Sequence, residues 1–337
     1  MKKTLKNIFR FAAGAILPAI AAILCLSSCE DIQEDLEPCP SGLKLSFVYD
    51  YNMEFANAFP SQVDCLTLFV YDAEGNYVTT RTAGKEQTSD KDWRMTIDLP
   101  GGHYRLLAYG GMNCDDASFT FASDPAKTSF SNLEVFLHPS LITEPVGKYL
   151  HPLFYGRLDI TVPEISTGYK EATVSMMRDT NDIRILLANE NGVPIDASDF
   201  VFSITDNNTR FNSLNEIIST ENVSYRPWAK GNSVMGVNPD GTESLVAWAE
   251  LSVPRFMVSS DARLNVSRQD GTPVLSLPLI DVLCLYKSQR YANMANQEFL
   301  DRENTWNMTF FLTGQGVWAG VSIIINDWVV RINNSEL

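Results

Sequence analysis

The chain has 337 residues and a formal net charge of −15 at pH 7, from 41 acidic and 26 basic side chains. Its hydrophobic content of 45% is enough to offset the ordering entropy of folding, which excludes a disordered chain. The acidic balance disfavours nucleic acid as a partner because phosphates are repelled, and the length suggests about two domains.

Residues 1–28 have the layout of a secretory signal peptide. Four cations lie in residues 1–10, an apolar run fills residues 11–26, and two serines precede Cys29. Small residues directly before a cysteine resemble the bacterial lipobox, in which the thiol is acylated and becomes the new amino terminus. An uncleaved transmembrane helix is the alternative, but the run contains Pro18 and is short for a span of about 20 residues. The sequence therefore predicts a lipoprotein with Cys29 as its lipidation site.

Residues 29–42 form an acidic, proline-containing linker. Five acids and no base lie between Cys29 and Lys44, a composition typical of a solvated segment. The run also resembles the acidic tract of surface lipoproteins of Bacteroidota, and Pro38 and Pro40 stiffen it. We expect a lipid-anchored protein of the cell outer membrane that faces the exterior, with a periplasm-facing position as the alternative.

Short segments of alternating polarity between turn residues predict an all-β fold. The residues of LKLSFVY, from position 43 to 49, place every second side chain on one apolar face. Turn signals such as Pro100-Gly101-Gly102 connect it to similar segments. The first block therefore predicts strands at residues 43–49, 65–71, 93–99 and 104–109.

A second strand-rich block begins at Tyr155. Two stretches within it look helical, residues 211–218 and 291–302. Residues 317–332 are apolar on both faces, so this last run has to be covered on both sides. We predict two tandem β-sandwich domains with short helical insertions, an N-terminal one at 43–154 and a C-terminal one at 155–337.

Motifs for catalysis and cofactor binding are missing. His103, His138 and His151 are scattered, and the sequence has no H-E-x-x-H, C-x-x-C or G-x-S-x-G motif. The oxygen-rich turns at 72–74 and 238–240 have too few closely spaced ligands for calcium and are read as solvated turns. We therefore predict no enzyme activity, no metal and no cofactor.

Four cysteines remain once the signal peptide and Cys29 are set aside: Cys39, Cys65, Cys114 and Cys284. Export to an oxidising compartment permits disulfides, and four thiols allow three full pairings, which the sequence leaves open. Cys65 and Cys284 lie in apolar segments, and we expect at least one of them to be a small buried hydrophobe.

Five tryptophans lie in the second block. The prediction is that they fill the core of the second sandwich, and the alternative is a platform that stacks on carbohydrate. These residues are Trp228, Trp248, Trp306, Trp318 and Trp328.

Several segments resemble, in order, the fimbrial anchor-subunit (FimB-like) lipoproteins of Bacteroidota. The resemblance starts with the lipobox at Cys29, the acidic tract and LKLSFVYDYN at 43–52. It continues through DCLTLFVYDAEGN at 64–76, PGGHYRLLAY at 100–109, HPLFYG at 151–156, RDTNDIRILLA at 178–188, LDRENTWNMTFFLT at 300–313 and INDW at 325–328.

This resemblance implies two transthyretin-like sandwiches and a pilus anchor at the base of the fibre that limits fibre length, without catalytic residues. The partners are then outer-membrane lipid, through the acylated cysteine, and a fimbrial shaft subunit joined by β-strand addition. Shaft subunits of this class lose their lipid when a protease cuts after an arginine near the amino terminus. Here no arginine occurs between Arg10 and Arg81, so we expect the acyl chains to stay. The docking element is either a permanently filled groove or the C-terminal run 321–331.

Two other functions are compatible with the sequence. One is a surface lipoprotein that binds glycan or host protein through its aromatic residues. The other is a tip adhesin of the same fold.

Overall fold

The computed structural model describes residues 40–141, 148–164, 168–218, 220–238, 241–287, 291–313, 318–326 and 328–331. The predicted signal peptide and the lipidation site at Cys29 lie outside these residues, as does Cys39.

The chain forms mainly β-strands. The first ten are β1 (Gly42–Val48), β2 (Leu66–Asp72), β3 (Tyr77–Ala83), β4 (Met95–Asp98), β5 (Gly102–Gly110), β6 (Phe119–Phe121), β7 (Glu134–Leu137), β8 (Phe154–Val162), β9 (Tyr169–Arg178) and β10 (Thr180–Asn189). The next ten are β11 (Phe200–Asp206), β12 (Arg210–Asn212), β13 (Val223–Tyr225), β14 (Ala229–Val237), β15 (Glu243–Pro254), β16 (Arg263–Arg268), β17 (Pro273–Pro278), β18 (Thr305–Leu312), β19 (Trp318–Ile325) and β20 (Trp328–Arg331).

The helices are short. They are α1 (Phe59–Gln62), α2 (Lys85–Thr88), α3 (Leu279–Leu285) and α4 (Asn296–Arg302), with 3-10 turns at Pro125–Lys127, Phe130–Asn132, Pro139–Leu141 and Ala197–Asp199. The predicted all-β class is confirmed, and the four strands expected in the first block coincide with β1, β2, β4 and β5 to within two residues.

The first sandwich is one sheet folded over itself, in the order β3-β2-β5-β8-β9-β1-β4. β8 and β9 pair only where Phe154–Gly156 meets Met176–Arg178, and beyond that point each strand follows its other neighbour. Leu45 of β1 shares a buried core with Leu68 of β2 and Leu106 of β5. Strands that lie four places apart in a flat sheet are separated by about 19 Å, so this shared core requires two facing layers.

The second sandwich packs a six-stranded sheet on a four-stranded sheet. Their orders are β14-β15-β10-β18-β19-β20 and β13-β11-β16-β17. Ile183, Ile185 and Leu187 alternate inward from β10 and are buried in one core with Phe202 of β11 and Leu264 of β16. This alternation is what the period of a half-buried strand dictates.

The two sandwiches share structure at their junction. A three-stranded sheet, β12-β7-β6, combines strands from both halves of the chain, and Tyr109, Phe211 and Ile183 belong to one continuous core. Since β8 and β9 pair with strands of the first half, the pairing favours a boundary near Arg178 over one at residue 154. The division into domains 43–154 and 155–337 itself stays a prediction.

The predicted helix at residues 211–218 is wrong. Arg210–Asn212 pairs with β7 instead, and the Asn212 side chain then accepts hydrogen bonds from the main-chain N–H groups of Leu214 and Glu216. Asparagine side chains that bond nearby backbone in this way compete with a helix. The second predicted helix forms only from Asn296 to Arg302, because Ala295 is extended.

Cys65 and Cys114 form a disulfide with a Cα–Cα distance of 5.8 Å and a sequence separation of 49. In the chain-entropy account, closing a loop of this length stabilises the fold by roughly 4 kcal/mol. Cys284 on α3 is a half-buried free thiol, so of the two cysteines expected in apolar surroundings it is the one that remains unpaired.

Candidate functional site at the first strand and the sheet edges

β1 is the strand that follows the predicted lipid linker, and its apolar face is completely covered. Leu43, Leu45, Phe47 and Tyr49 are exposed by 5% or less. Full burial of such a side chain contributes about 1.5–3 kcal/mol. β1 therefore belongs to the core of the first sandwich.

β1 is also an internal strand. It pairs antiparallel with β4 and, over its whole length, parallel with β9. At its start Gly42 has a φ of +147°, and a Cβ there would lie 2.0 Å from the carbonyl oxygen of Ile97. Only glycine, which has no Cβ, permits the chain to start β1 this close to the backbone of β4.

The loop after β1 is fastened to α4 by a set of contacts that we call the Arg302 clamp, formed by Tyr51, Phe55 and Arg302. The guanidinium carbon lies 4.1 Å from the Tyr51 ring centroid and 4.7 Å from that of Phe55. Arg302 also donates to the carbonyl of Asp50 at 3.4 Å and to Glu298 at 2.8 Å. A cation held between two aromatic faces stabilises the contact, so the first strand is tied to the second sandwich.

The end of β1 makes a further bond to the second half. Asn304 donates to the Tyr49 hydroxyl at 2.6 Å, and burial raises the pKa of Tyr49 to about 12. Burial also raises the pKa of the neighbouring Glu303 to about 7. The residues around this bond are thus partly withdrawn from water.

A buried polar network occupies the junction between the sandwiches. Asp179, which separates β9 from β10, is fully buried and accepts a hydrogen bond from Asn215 at 2.9 Å. Arg255 donates to the carbonyl of Asn215 at 2.7 Å and binds Asp301 through two bonds of 2.7 and 2.8 Å. Burial raises the pKa of Asp179 to about 7, although Arg255 opposes the shift.

β14 is an edge of the six-stranded sheet and carries the most exposed apolar side chains of the described chain. Val234, Met235 and Val237 are exposed by 53%, 56% and 69%, and the register with β15 shifts between Val234 and Gly236. An edge strand presents unpaired main-chain groups, and an exposed apolar edge favours pairing with another strand. β14 is therefore a candidate surface for strand addition.

The two edges of the four-stranded sheet, β13 and β17, are less suited to pairing. β17 starts at Pro273 and ends at Pro278, and proline cannot donate to a new ladder. β13 has only three residues. β20 (Trp328–Arg331) lies within the C-terminal run, one of the two docking elements that the sequence left open. It pairs with β19 and forms the opposite edge of the six-stranded sheet.

The tryptophans do not all fill the core. Trp306 is fully buried, as expected, and Trp248 is half-buried. Trp228 is 39% exposed and meets Tyr149 edge to face, with ring centroids 5.6 Å apart, so the core prediction is wrong for this residue. The side chains of Trp318 and Trp328 lie outside the described residues.

The histidines and the Asp72 turn, which the sequence analysis considered as catalytic or metal-binding groups and set aside, lie within the described chain. His138 and His151 line the same cleft of about 810 Å³, whereas His103 bonds Thr161 elsewhere. The Asp72 carboxylate accepts two bonds from Asn76 and closes its own turn. Among the residues described, no three His, Cys, Asp or Glu side chains gather as metal ligands.

In the described ranges, none of the helices combines the length and apolarity that a membrane crossing requires.

Sequence reasoning missed the Arg302 clamp, Tyr149 and the exposed edge of β14. Arg302 and Tyr51 are far apart in sequence, and no local pattern links them. The exposed edge of β14 could have been predicted. Its three apolar residues around Gly236 depart from the alternation of a half-buried strand.

Comparison with known proteins agrees with this architecture. Residues 36–334 match the family model described as Fimbrillin-A associated anchor proteins Mfa1 and Mfa2. No curated protein sequence matches significantly.

Three solved structures are similar over almost their whole length. A candidate adhesin from Bacteroides thetaiotaomicron is 45% identical, with a TM-score of 0.84 over 89% of this chain and 100% of its own. A candidate polysaccharide-binding protein from the same species is 28% identical, with a TM-score of 0.74 over 88% and 99%. The fimbrial anchor protein Mfa2 from Porphyromonas gingivalis shares the fold, with 14% identity and a TM-score of 0.65 over 88% and 100%.

The family match over most of the chain and the 45% identity to a candidate adhesin thus place this paired β-sandwich protein in the fimbrial anchor and adhesin class. The chain belongs to the family of fimbrillin-A associated anchor proteins, which confirms the resemblance found in the sequence. The family is a structural one, and its members are associated with fimbriae.

Proposed function

We propose that this protein is an outer-membrane lipoprotein, acylated at Cys29, that anchors a fimbria at its base and limits fibre length. The observation that carries the proposal is the central position of β1 between β4 and β9. The strand nearest the lipid is part of the core, so it cannot leave without unfolding the first sandwich.

Retention of the lipid requires that no protease separates it from the fold. No arginine lies between Arg10 and Arg81. The other basic residue near the linker, Lys44, is paired on both sides, with Thr96 and Glu171. Proteases cleave exposed, mobile segments, and a doubly paired strand is a poor substrate. Acyl chains contribute about 0.8 kcal/mol per buried CH₂, so two or more of them hold the protein on the membrane.

The partner in this proposal is a fimbrial shaft subunit, which adds a strand to β14. Support comes from the family match and from the exposed side chains of Val234, Met235 and Val237 on an open edge. Main-chain hydrogen bonds supply affinity in such a contact, and alternate side chains supply specificity. A subunit held at the base by lipid then ends growth at that point.

Replacement of the lipidated cysteine tests the proposal. Cys29→Ala should release long fibres into the medium, because the base subunit is no longer retained. Fibre length and the cell-bound fraction are measured by electron microscopy and immunoblotting of cells and medium. Cys39→Ala, a cysteine in the same linker outside the lipobox, is the matched control and should leave fibres unchanged. Cell-bound fibres of normal length in the Cys29→Ala strain would contradict the anchor role.

A tip adhesin of the same fold is the second candidate. It is favoured by the 45% identity to a candidate adhesin. Immunogold labelling distinguishes the two, because an anchor is found at the proximal end of the fibre and a tip adhesin at the distal end.

A further inference from the structure

A groove of about 300 Å³ lies on the outer side of the six-stranded sheet, and two aromatic side chains form one of its walls. Tyr149 is 46% exposed and Trp228 is 39% exposed. Their rings meet edge to face at 76°. This arrangement leaves ring surface of both residues in contact with water.

The aromatic wall is held in place by neighbouring polar groups. The Tyr149 hydroxyl lies beside the side chains of Arg178 and Asp182, which both influence its pKa and which form an ion pair with each other at 2.5 Å. The main-chain N–H of Trp228 donates to the carbonyl of Glu250 at 2.9 Å. The wall is therefore preorganised, which lowers the entropy cost of binding a ligand.

The floor of the groove carries polar groups from adjacent strands. Asp182 and Arg184 point outward from β10, since Ile183 and Ile185 between and after them are buried. Glu250 of β15 lies opposite Arg184, and Asn307 of β18 lies on its other side. Guanidinium, carboxylate and amide groups thus stand in one row beside the aromatic wall.

The charges in this row are compensated. Glu250 is paired with Arg184 at 3.4 Å, and Asp182 with Arg178. A groove with balanced charge has no electrostatic preference for an anion or a cation, but it keeps many hydrogen-bond donors and acceptors. It is suited to a neutral ligand rich in hydroxyl groups.

We propose that this groove binds a neutral carbohydrate, with a pyranose ring against Trp228 and its hydroxyls bonded to Arg184, Glu250 and Asn307. The C–H face of a pyranose is apolar and flat, which fits an exposed indole, while vicinal hydroxyls fit planar groups that donate or accept in pairs. This inference goes beyond the anchor role and holds whether or not Cys29 is acylated.

The test uses the full mature protein in a detergent without a sugar headgroup. The probes are cellotriose, maltotriose, mannotriose and galactotriose, with sialyllactose as the charged comparison, and binding is followed by saturation-transfer NMR and calorimetry. At least one neutral trisaccharide should bind. Trp228→Ala should weaken that binding about tenfold, and Trp228→Phe, which keeps an aromatic face, should weaken it less. Asn307→Ala should weaken it roughly threefold.

Leu214→Ala serves as the control, because Leu214 is similarly exposed at 45% and does not line the groove. The proposal is overturned if no neutral trisaccharide binds the folded protein, if binding is the same in Trp228→Ala, or if only sialyllactose binds. Because none of these readouts depends on fibres, failure here leaves the anchor role untouched, and failure of the Cys29→Ala test leaves this groove untouched.

Discussion

Asp179, at the junction of the two sandwiches, makes the stability of the fold sensitive to pH. It is fully buried, and its one hydrogen-bond donor among the described residues is a neutral amide, that of Asn215. Burial disfavours the charged carboxylate and raises the pKa of Asp179 to about 7. A carboxyl group whose pKa is raised on folding stabilises the fold at low pH, and this stabilisation is lost as pH rises through the folded pKa.

We predict that the unfolding free energy falls between pH 5 and pH 8 and that Asp179→Asn reduces this fall. The variant should be more stable than the wild type at pH 8, and the fall should shrink by about 2–3 kcal/mol. Chemical denaturation at a series of pH values measures both. The residual slope is assigned to Glu303, whose pKa is raised in the same direction.

Asp72→Asn is the control for this experiment. Asp72 is exposed, and hydrogen bonds from Asn76 lower its pKa. Replacing it should therefore change the pH dependence of the unfolding free energy only at acid pH. If Asp179→Asn and the wild type lose equal stability on going to pH 8, the buried acid at the junction does not titrate as described.

Among the elements, the loop after β1 and helix α4 form the link that secures the first strand. Arg302 is 14% exposed and lies between the rings of Tyr51 and Phe55. The contact gives Phe55 a structural role, although the residue is 52% exposed. One face of its ring covers the Arg302 guanidinium.

Arg302→Ala should lower the unfolding free energy by about 1–3 kcal/mol through loss of the cation–aromatic contacts and the bond to Glu298. It should also speed amide hydrogen exchange in residues 50–58 more than elsewhere. Chemical denaturation and exchange mass spectrometry give the two readouts. Arg81→Ala is the control: within the described ranges the Arg81 side chain bonds the neighbouring Thr79 and Thr80. This variant should change neither the unfolding free energy nor the exchange of residues 50–58. Equal exchange in residues 50–58 of Arg302→Ala and the wild type would argue against the clamp.

The strands could be predicted because the alternation of apolar and polar side chains is a local property of the sequence. In LKLSFVY every second side chain is apolar, and β1 forms there with that face buried. The loop of residues 213–218 could not be predicted from helix propensity, because the Asn212 side chain and pairing with β7 decide its course. Trp228 was misassigned for a related reason. A large apolar side chain favours a place in the core, but the position of Trp228 at the rim of a groove depends on the tertiary structure.

For the whole molecule, the proposed anchor role raises the question of which sheet edge receives the shaft subunit. β14 and β20 are opposite edges of one sheet, and both the exposed edge of β14 and the C-terminal run are candidates. Charged side chains on an edge oppose strand addition.

We predict that Val234→Lys combined with Val237→Lys weakens capture of the purified fimbrial shaft subunit at least tenfold, about 1.4 kcal/mol or more. Both side chains are more than half exposed, so the fold is retained. Val78→Lys, on the β3 edge at 40% exposure, is the matched control. Capture that survives the double variant but is lost when the last fifteen residues are deleted would assign docking to the C-terminal run instead.

The pairing of β1 also determines how the protein resists mechanical load. In the proposed anchor role, a fibre pulled by flow would transmit tension to the lipid through Gly42, along the axis of β1. The hydrogen bonds to β4 and β9 run across that axis, so the force shears both ladders together instead of unzipping them bond by bond. Detachment of the proposed anchor would then require the whole strand to slip at once, and the seven-residue length of β1 would set the tensile strength of the attachment.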